Sequence, residues 1–186
     1  MLDLPTSVFP ELHTANLRLR QLSRGDAQAL FKIYSNSQVT KFHELETFIS
    51  VQDAAALIAS EEARYEMGQA IRWGVSQFEN DIIIGTCGLK LDPDNHSADL
   101  GYGLAQPYWR RGIMTDALTI VIRFAFLTLK ANRLQALVVP ENLASIRLLE
   151  RFNFQQEGRL RQVAYFKGGH HDMECYSLLN QEWAQA

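Results

Sequence analysis

The chain has 186 residues, 47% hydrophobic and 21% charged, a balance that predicts one globular domain over residues 1–186 with a sizeable core. A net charge of −3 argues against a nucleic-acid surface and mildly favours cationic partners. No apolar run is long enough to span a bilayer, and Met1-Leu2-Asp3-Leu4-Pro5 lacks a signal-peptide pattern. Cys87 and Cys175 lie far apart in apolar, strand-like runs, so a cytoplasmic protein with reduced core cysteines is expected.

Leu12 to Leu22 alternates Leu17 and Leu19 with Arg18 and Arg20 and predicts a first strand. Ser23 is an N-cap candidate for a helix through Ala27, Leu30, Phe31 and Tyr34. Asn36 to Ser50 is irregular, and a long connection of this kind is often functional. Ser50 would cap a second helix running to about Met67, with Gly68 ending it. Ala70–Gln77 and Ile82–Leu91 predict a hairpin turned by Glu79-Asn80-Asp81. Asp92-Pro93-Asp94-Asn95 is a second turn, leading to a strand at Ser97–Leu104.

Tyr108-Trp109-Arg110-Arg111-Gly112 then opens a helix in which Met114, Ala117, Leu118, Val121, Phe124 and Ala125 make one apolar face. The first turn of a helix has backbone N–H groups with no partner inside it. Gly112 lets a ligand approach closely, and Arg110 and Arg111 add positive charge, which together favour an anion such as a pyrophosphate. On this stretch alone, a loop carrying two solvated arginines explains the residues equally well. Arg133–Val139 follows as a strand, making a βαβ unit with a parallel pair. Asn142 is an N-cap for a helix Leu143–Phe152, which Asn153 can end in the left-handed conformation. Gln156–Val163 and Asp172–Leu179 predict two closing strands joined through Lys167-Gly168-Gly169-His170. His170 and His171 point to opposite faces of a strand and lack a third ligand, so no metal site is expected.

Two segments in this order resemble a known family. Pro107-Tyr108-Trp109-Arg110-Arg111-Gly112-Ile113-Met114-Thr115-Asp116-Ala117-Leu118 is one, and Val139-Pro140-Glu141-Asn142-Leu143-Ala144-Ser145 with Leu148–Phe154 and Glu157-Gly158 is the other. With the element order from Leu12 to Leu179, they resemble GNAT-fold acetyltransferases, in the branch of ribosomal-protein N-terminal acetyltransferases. The resemblance implies an α/β fold with a mostly antiparallel sheet of about seven strands, splayed at a bulge and flanked by about four helices. It implies acetyl-CoA as donor and no metal. The pyrophosphate would sit on the amides of Arg110, Arg111, Gly112, Ile113, Met114 and Thr115. The pantetheine arm would lie along Gly103 and Leu104, with Asn142 bonded to it and Ser145 facing the sulfur. Homodimers are common in the branch. Where many members carry a tyrosine acid this chain has Leu149, which shifts that role towards Ser145. Some members of the branch carry a glutamate base where this chain has Ala164, so the base is unassigned.

Direct transfer to an amine needs a neutral nucleophile, donors for the oxyanion and a proton for the thiolate. A backbone N–H near Leu104 could serve the oxyanion, and Ser145 could relay the proton. Glu44, in the irregular segment, is the candidate base or substrate contact, although a solvated loop carboxylate explains it at least as well. An α-amine has a pKa of roughly 8 and a lysine roughly 10.4, so an enzyme lacking a strong base is better suited to a protein N-terminus. A small amine such as a polyamine, amino acid or aminoglycoside is the alternative acceptor. A non-catalytic CoA-sensing module is the alternative of another class.

Overall fold

A computed structural model describes residues 4–5 and 8–183. One sheet of eight strands carries the fold, in the order β1-β2-β3-β4-β5-β6-β8-β7. The strands are β1 (Leu12–His13), β2 (Leu17–Gln21), β3 (Ala70–Gln77), β4 (Ile83–Asp92), β5 (Ser97–Leu104), β6 (Arg133–Val138), β7 (Gln155–Phe166) and β8 (Gly169–Leu179). The helices are α1 (Ala27–Tyr34), α2 (Ser37–Thr40), α3 (Val51–Glu66), α4 (Ile113–Leu127), α5 (Leu143–Arg151) and α6 (Asn180–Trp183). Every pairing is antiparallel except β5 with β6, as the βαβ spacing requires.

The eighth strand comes from a turn hidden in the first one. Thr14 Oγ1 accepts from the N–H groups of Asn16 and Leu17, at 3.3 and 2.9 Å, and folds Leu12–His13 back onto β2. The additional helices are the single turn α2, which Asn36 caps through Gln38 N–H at 2.9 Å, and the C-terminal α6. Ser50 is the N-cap of α3, as expected, and Asp53 completes a capping box with it. The Asp53 carboxylate reaches back to the N–H groups of Ile49 and Ser50, at 2.8 and 2.9 Å. The last two strands are longer than the sequence suggests, so only Lys167 and Gly168 form the loop. Both have positive φ, as two-residue hairpin turns demand.

Register fixes which helices face which side chains. Arg72, Gly74, Thr86, Gly101 and Gly103 share one face, because Gly74 pairs with Thr86, Thr86 with Gly103, and Gly88 with both Arg72 and Gly101. That face carries α1 and α3, whose Leu30, Ile33, Ala54 and Ile58 pack with Leu22 and Ile83. Trp73, Cys87 and Tyr102 share the other face, where α4 packs and Phe124 meets the Trp73 indole edge-on at 5.3 Å. Cys87 is in this core, but Cys175 is only half-buried beside Glu157, so the second cysteine departs from the core placement expected.

Candidate active site

β5 and β6 pair over three rungs only, Ser97–Arg133, Ala98–Leu134 and Asp99–Gln135, and then part. Gln135 Nε2 donates to Asp99 Oδ1 at 2.6 Å and ties the last rung. The ladder between β4 and β5 continues unbroken to Gly85–Leu104, so the strands separate on the β6 side without a bulge interrupting the β4 side. Ala105 N–H donates to the Ile84 carbonyl at 2.8 Å. Since backbone groups alternate along a strand, the N–H and C=O of Leu104 therefore point away from β4, into the opening. The carbonyl is taken by the Trp109 indole N–H at 2.7 Å, which anchors the following turn to the strand end. The Leu104 N–H is left facing the gap, where a developing oxyanion can be held.

The turn from Trp109 to Gly112 is set by two left-handed residues, Arg110 (φ 59) and Gly112 (φ 76). The first helical bond of α4 is Asp116 N–H to the Gly112 carbonyl at 3.0 Å. Among the described residues, no acceptor meets the N–H groups of Ile113, Met114 or Thr115. Arg110 and Arg111 are exposed beside them, with the Arg111 guanidinium 5.7 Å above the Tyr108 ring. Three free amides, the positive end of a fifteen-residue helix and two arginines fit an anionic diphosphate.

Asn142 caps α5, its side-chain oxygen accepting from Ser145 N–H at 3.3 Å. Ser145, three residues into the helix, lies 2.6 Å from the Tyr102 hydroxyl. Burial pushes the Tyr102 phenol up to about 12, opposed by its bond to Ser145, so the phenol keeps its proton at neutral pH. Leu149, where the resemblance implied a tyrosine in many members, is fully buried in the core. A phenol thus reaches Ser145 from β5 instead of from α5. Sequence reasoning passed over Tyr102, since only the register and the α5 packing bring it to Ser145.

On the opposite face of β5, Gly103 is a point of close approach. A Cβ there would lie 3.1 Å from the Tyr34 hydroxyl and 3.1 and 3.2 Å from His43 Cε1 and Nε2. Tyr34 and Thr86 share a hydrogen bond of 2.8 Å, Arg72 Nη1 reaches Thr86 at 3.4 Å, and Arg72 pairs with Glu61 at 3.1 Å. Burial, aided by the charges of Arg72 and Lys167, holds the His43 imidazole down at about 4. Glu44 is exposed in the adjoining bend, where no hydrogen bond among the described residues engages its carboxylate. The β7–β8 loop closes on this segment. Lys167 Nζ donates to the Thr40 carbonyl at 2.7 Å and Lys167 N–H to Glu46 at 3.1 Å, while Phe42 packs against Val139, Phe166 and Met173. A cavity of about 290 Å³ opens between the 139–141 loop and this hairpin, with Glu141, Arg159 and Asp172 in its walls. His170 and His171 meet different rings, Tyr165 and Phe166.

Residues 16–155 match the acetyltransferase (GNAT) domain. This chain belongs to the GNAT acetyltransferase family. It is 36% identical to the uncharacterized N-acetyltransferase YoaA of Bacillus subtilis over 173 residues, covering 92% of this chain and 98% of that one. It is 27% identical to the ribosomal protein uS5-alanine N-acetyltransferase of Escherichia coli over 182 residues, 92% of each chain. A solved structure of RimL, a ribosomal L7/L12 α-N-protein acetyltransferase in complex with coenzyme A, shares the fold with a TM-score of 0.82. It is 19% identical, over 93% of this chain and 99% of that one. The protein is therefore an acetyl-CoA-dependent N-acetyltransferase. Among the described residues of this acetyltransferase, no helix is long and apolar enough to cross a membrane and no cluster of ligating side chains would hold a metal.

Proposed function

We propose that this acetyltransferase modifies the N-terminal α-amine of a protein, with ribosomal proteins the first candidates. The acceptor class named for the uS5 relative motivates the protein target. The observation that carries the α-amine is the charge around Gly103. Burial first, and then the charges of Arg72 and Lys167, keep His43 neutral, and the carboxylate behind these cations, Glu61, is already paired with Arg72. Such a field disfavours an ammonium. Choosing lysine over an α-amine adds roughly 2.5 pKa units of deprotonation, or about 3.4 kcal/mol.

In this reading the amides and arginines of residues 110–115 bind the diphosphate of acetyl-CoA. Gly103 and Leu104 line the pantetheine and thioester, and Asn142 bonds to the pantetheine amide. Leu104 N–H holds the oxyanion. Ser145 protonates the departing thiolate and is resupplied by Tyr102. Glu44 lies at the mouth of the acceptor cleft as a substrate contact. The test is a panel of amines followed by thiol release and mass spectrometry. Peptides with free N-termini should outpace N-blocked, lysine-bearing peptides by at least a hundredfold. Acetylation of lysine side chains with N-termini untouched would reject the α-amine, and turnover of small amines alone would reject a protein acceptor.

A further inference from the structure

The amine side of β5 lacks an assigned proton acceptor, and the segment after α2 places one there. Side chains at 102 and 103 point to opposite faces, so the His43 ring beside Gly103 lies across the strand from the Tyr102–Ser145 pair. The ring packs edge-to-face with Tyr34 at 5.8 Å, and the backbone N–H of His43 donates to the Thr40 carbonyl at 3.0 Å. Among the described residues, no group hydrogen-bonds either ring nitrogen, and the residue is half-buried. A side chain at 103 would crowd this ring, at 3.1–3.2 Å, so the glycine makes room for the imidazole as well as for a ligand.

We propose that His43 accepts a hydrogen bond from the incoming amine and takes its proton during acetyl transfer. The inference rests on the acetyl group being presented at Gly103 and Leu104, as proposed above. The amine nitrogen bonds to the acetyl carbon and the carbon–sulfur bond breaks. One amine proton passes to the unprotonated ring nitrogen, and the sulfur takes a proton from Ser145, which Tyr102 replaces. The imidazolium then gives its proton to water, and water restores the phenol. A weakly basic imidazole is adequate for this task. The nitrogen becomes strongly acidic only as it bonds to the carbonyl carbon, and an imidazole that is uncharged at neutral pH is always ready to receive its proton. Neither the exposed carboxylate of Glu44 nor the methyl group of Ala164 supplies an equivalent acceptor at the strand.

The experiment compares the unaltered chain with His43→Phe, which keeps the ring packing, and His43→Gln, which keeps an acceptor that cannot carry the proton. Whichever amine the panel shows to turn over is used for all three. Failure of peptide N-termini as acceptors would then reject the α-amine reading without touching the test of His43. The expected result is a loss of about a hundredfold in kcat/KM for the amine in His43→Phe and a smaller loss in His43→Gln. The acetyl-CoA Kd, measured calorimetrically, should hold within twofold in both. Retention of rate within threefold by His43→Phe, or a weakening of acetyl-CoA binding that matches the loss of rate, would overturn the assignment.

Discussion

Removing the Tyr102 hydroxyl separates a proton relay from a packing contact. Tyr102→Phe keeps the ring on its core face and deletes a single bond of 2.6 Å between two neutral hydroxyls. The stability cost of such a bond is about 0.5–1.5 kcal/mol, small enough for the chain to fold. The effect on rate should be larger. A positioned proton donor contributes about a hundredfold or more, so Ser145→Ala should lower kcat by about that factor, equivalent to about 2.7 kcal/mol. Tyr102→Phe should lower it by roughly tenfold, because Ser145 would still be in place and could draw a proton from water. If the two hydroxyls form one path, the double variant should be no slower than Ser145→Ala. The assay is thiol release at saturating acetyl-CoA and amine, with thermal unfolding followed in parallel. Losses that multiply to about a thousandfold in the double variant would refute a shared path. An unchanged kcat in Tyr102→Phe would leave the bond a purely structural one.

Replacing Arg110 and Arg111 together by alanine should weaken acetyl-CoA binding roughly tenfold by calorimetry and flatten its salt dependence, since each exposed charge at a helix start contributes about 0.3–1 kcal/mol. Gly85→Ala should destabilise by about 1–3 kcal/mol in chemical denaturation, because its Cβ would sit 2.5 Å from the Gly103 carbonyl oxygen in the neighbouring strand. Glu157 is held down at about 2, first by its hydrogen bond from Arg133 and then by that from Ser177. A depressed carboxylate stabilises fully above its unfolded pKa of roughly 4.3, and that contribution is lost as pH falls through about 2. Glu157→Gln should therefore flatten the decline in melting temperature over that window, by no more than about 1 kcal/mol since the carboxylate is half exposed.

What the sequence disclosed about this acetyltransferase was what its local patterns could carry. The apolar face of α4, the glycine opening it and the asparagine capping α5 are each written within a few consecutive residues, and the structure places them as expected. The reversal at Thr14 was missed because Leu12 and Leu17 read as one apolar run, while a single hydroxyl bonding two N–H groups folds it in half. Ser50 as the cap of α3 was legible and was read, whereas its capping-box partner Asp53 was legible in principle, since an acidic residue three positions after a serine is a recognised helix start.

The residues around β5 belong to a different category. Tyr102 reaches Ser145 across 43 positions in sequence, and Gly103 meets both Tyr34 and His43. Alternation along Ser97–Leu104 could place Tyr102 and Gly103 on opposite faces, yet no periodicity states what waits on either side. The register does so. With Thr86 opposite Gly103 and Cys87 opposite Tyr102, one side of the strand is committed to α1 and α3 and the other to α4 and α5. A strand one residue wide thereby separates a phenol–serine pair from an imidazole, and between them β6 has turned away and left Leu104 N–H open. Transfer of an acetyl group to an amine requires proton delivery at sulfur and proton removal at nitrogen, and these must not short-circuit each other. With Ser145 and His43 in the roles proposed above, the two functions fall on opposite faces of β5, and His43, not its exposed neighbour Glu44, is the side chain that packs beside Gly103.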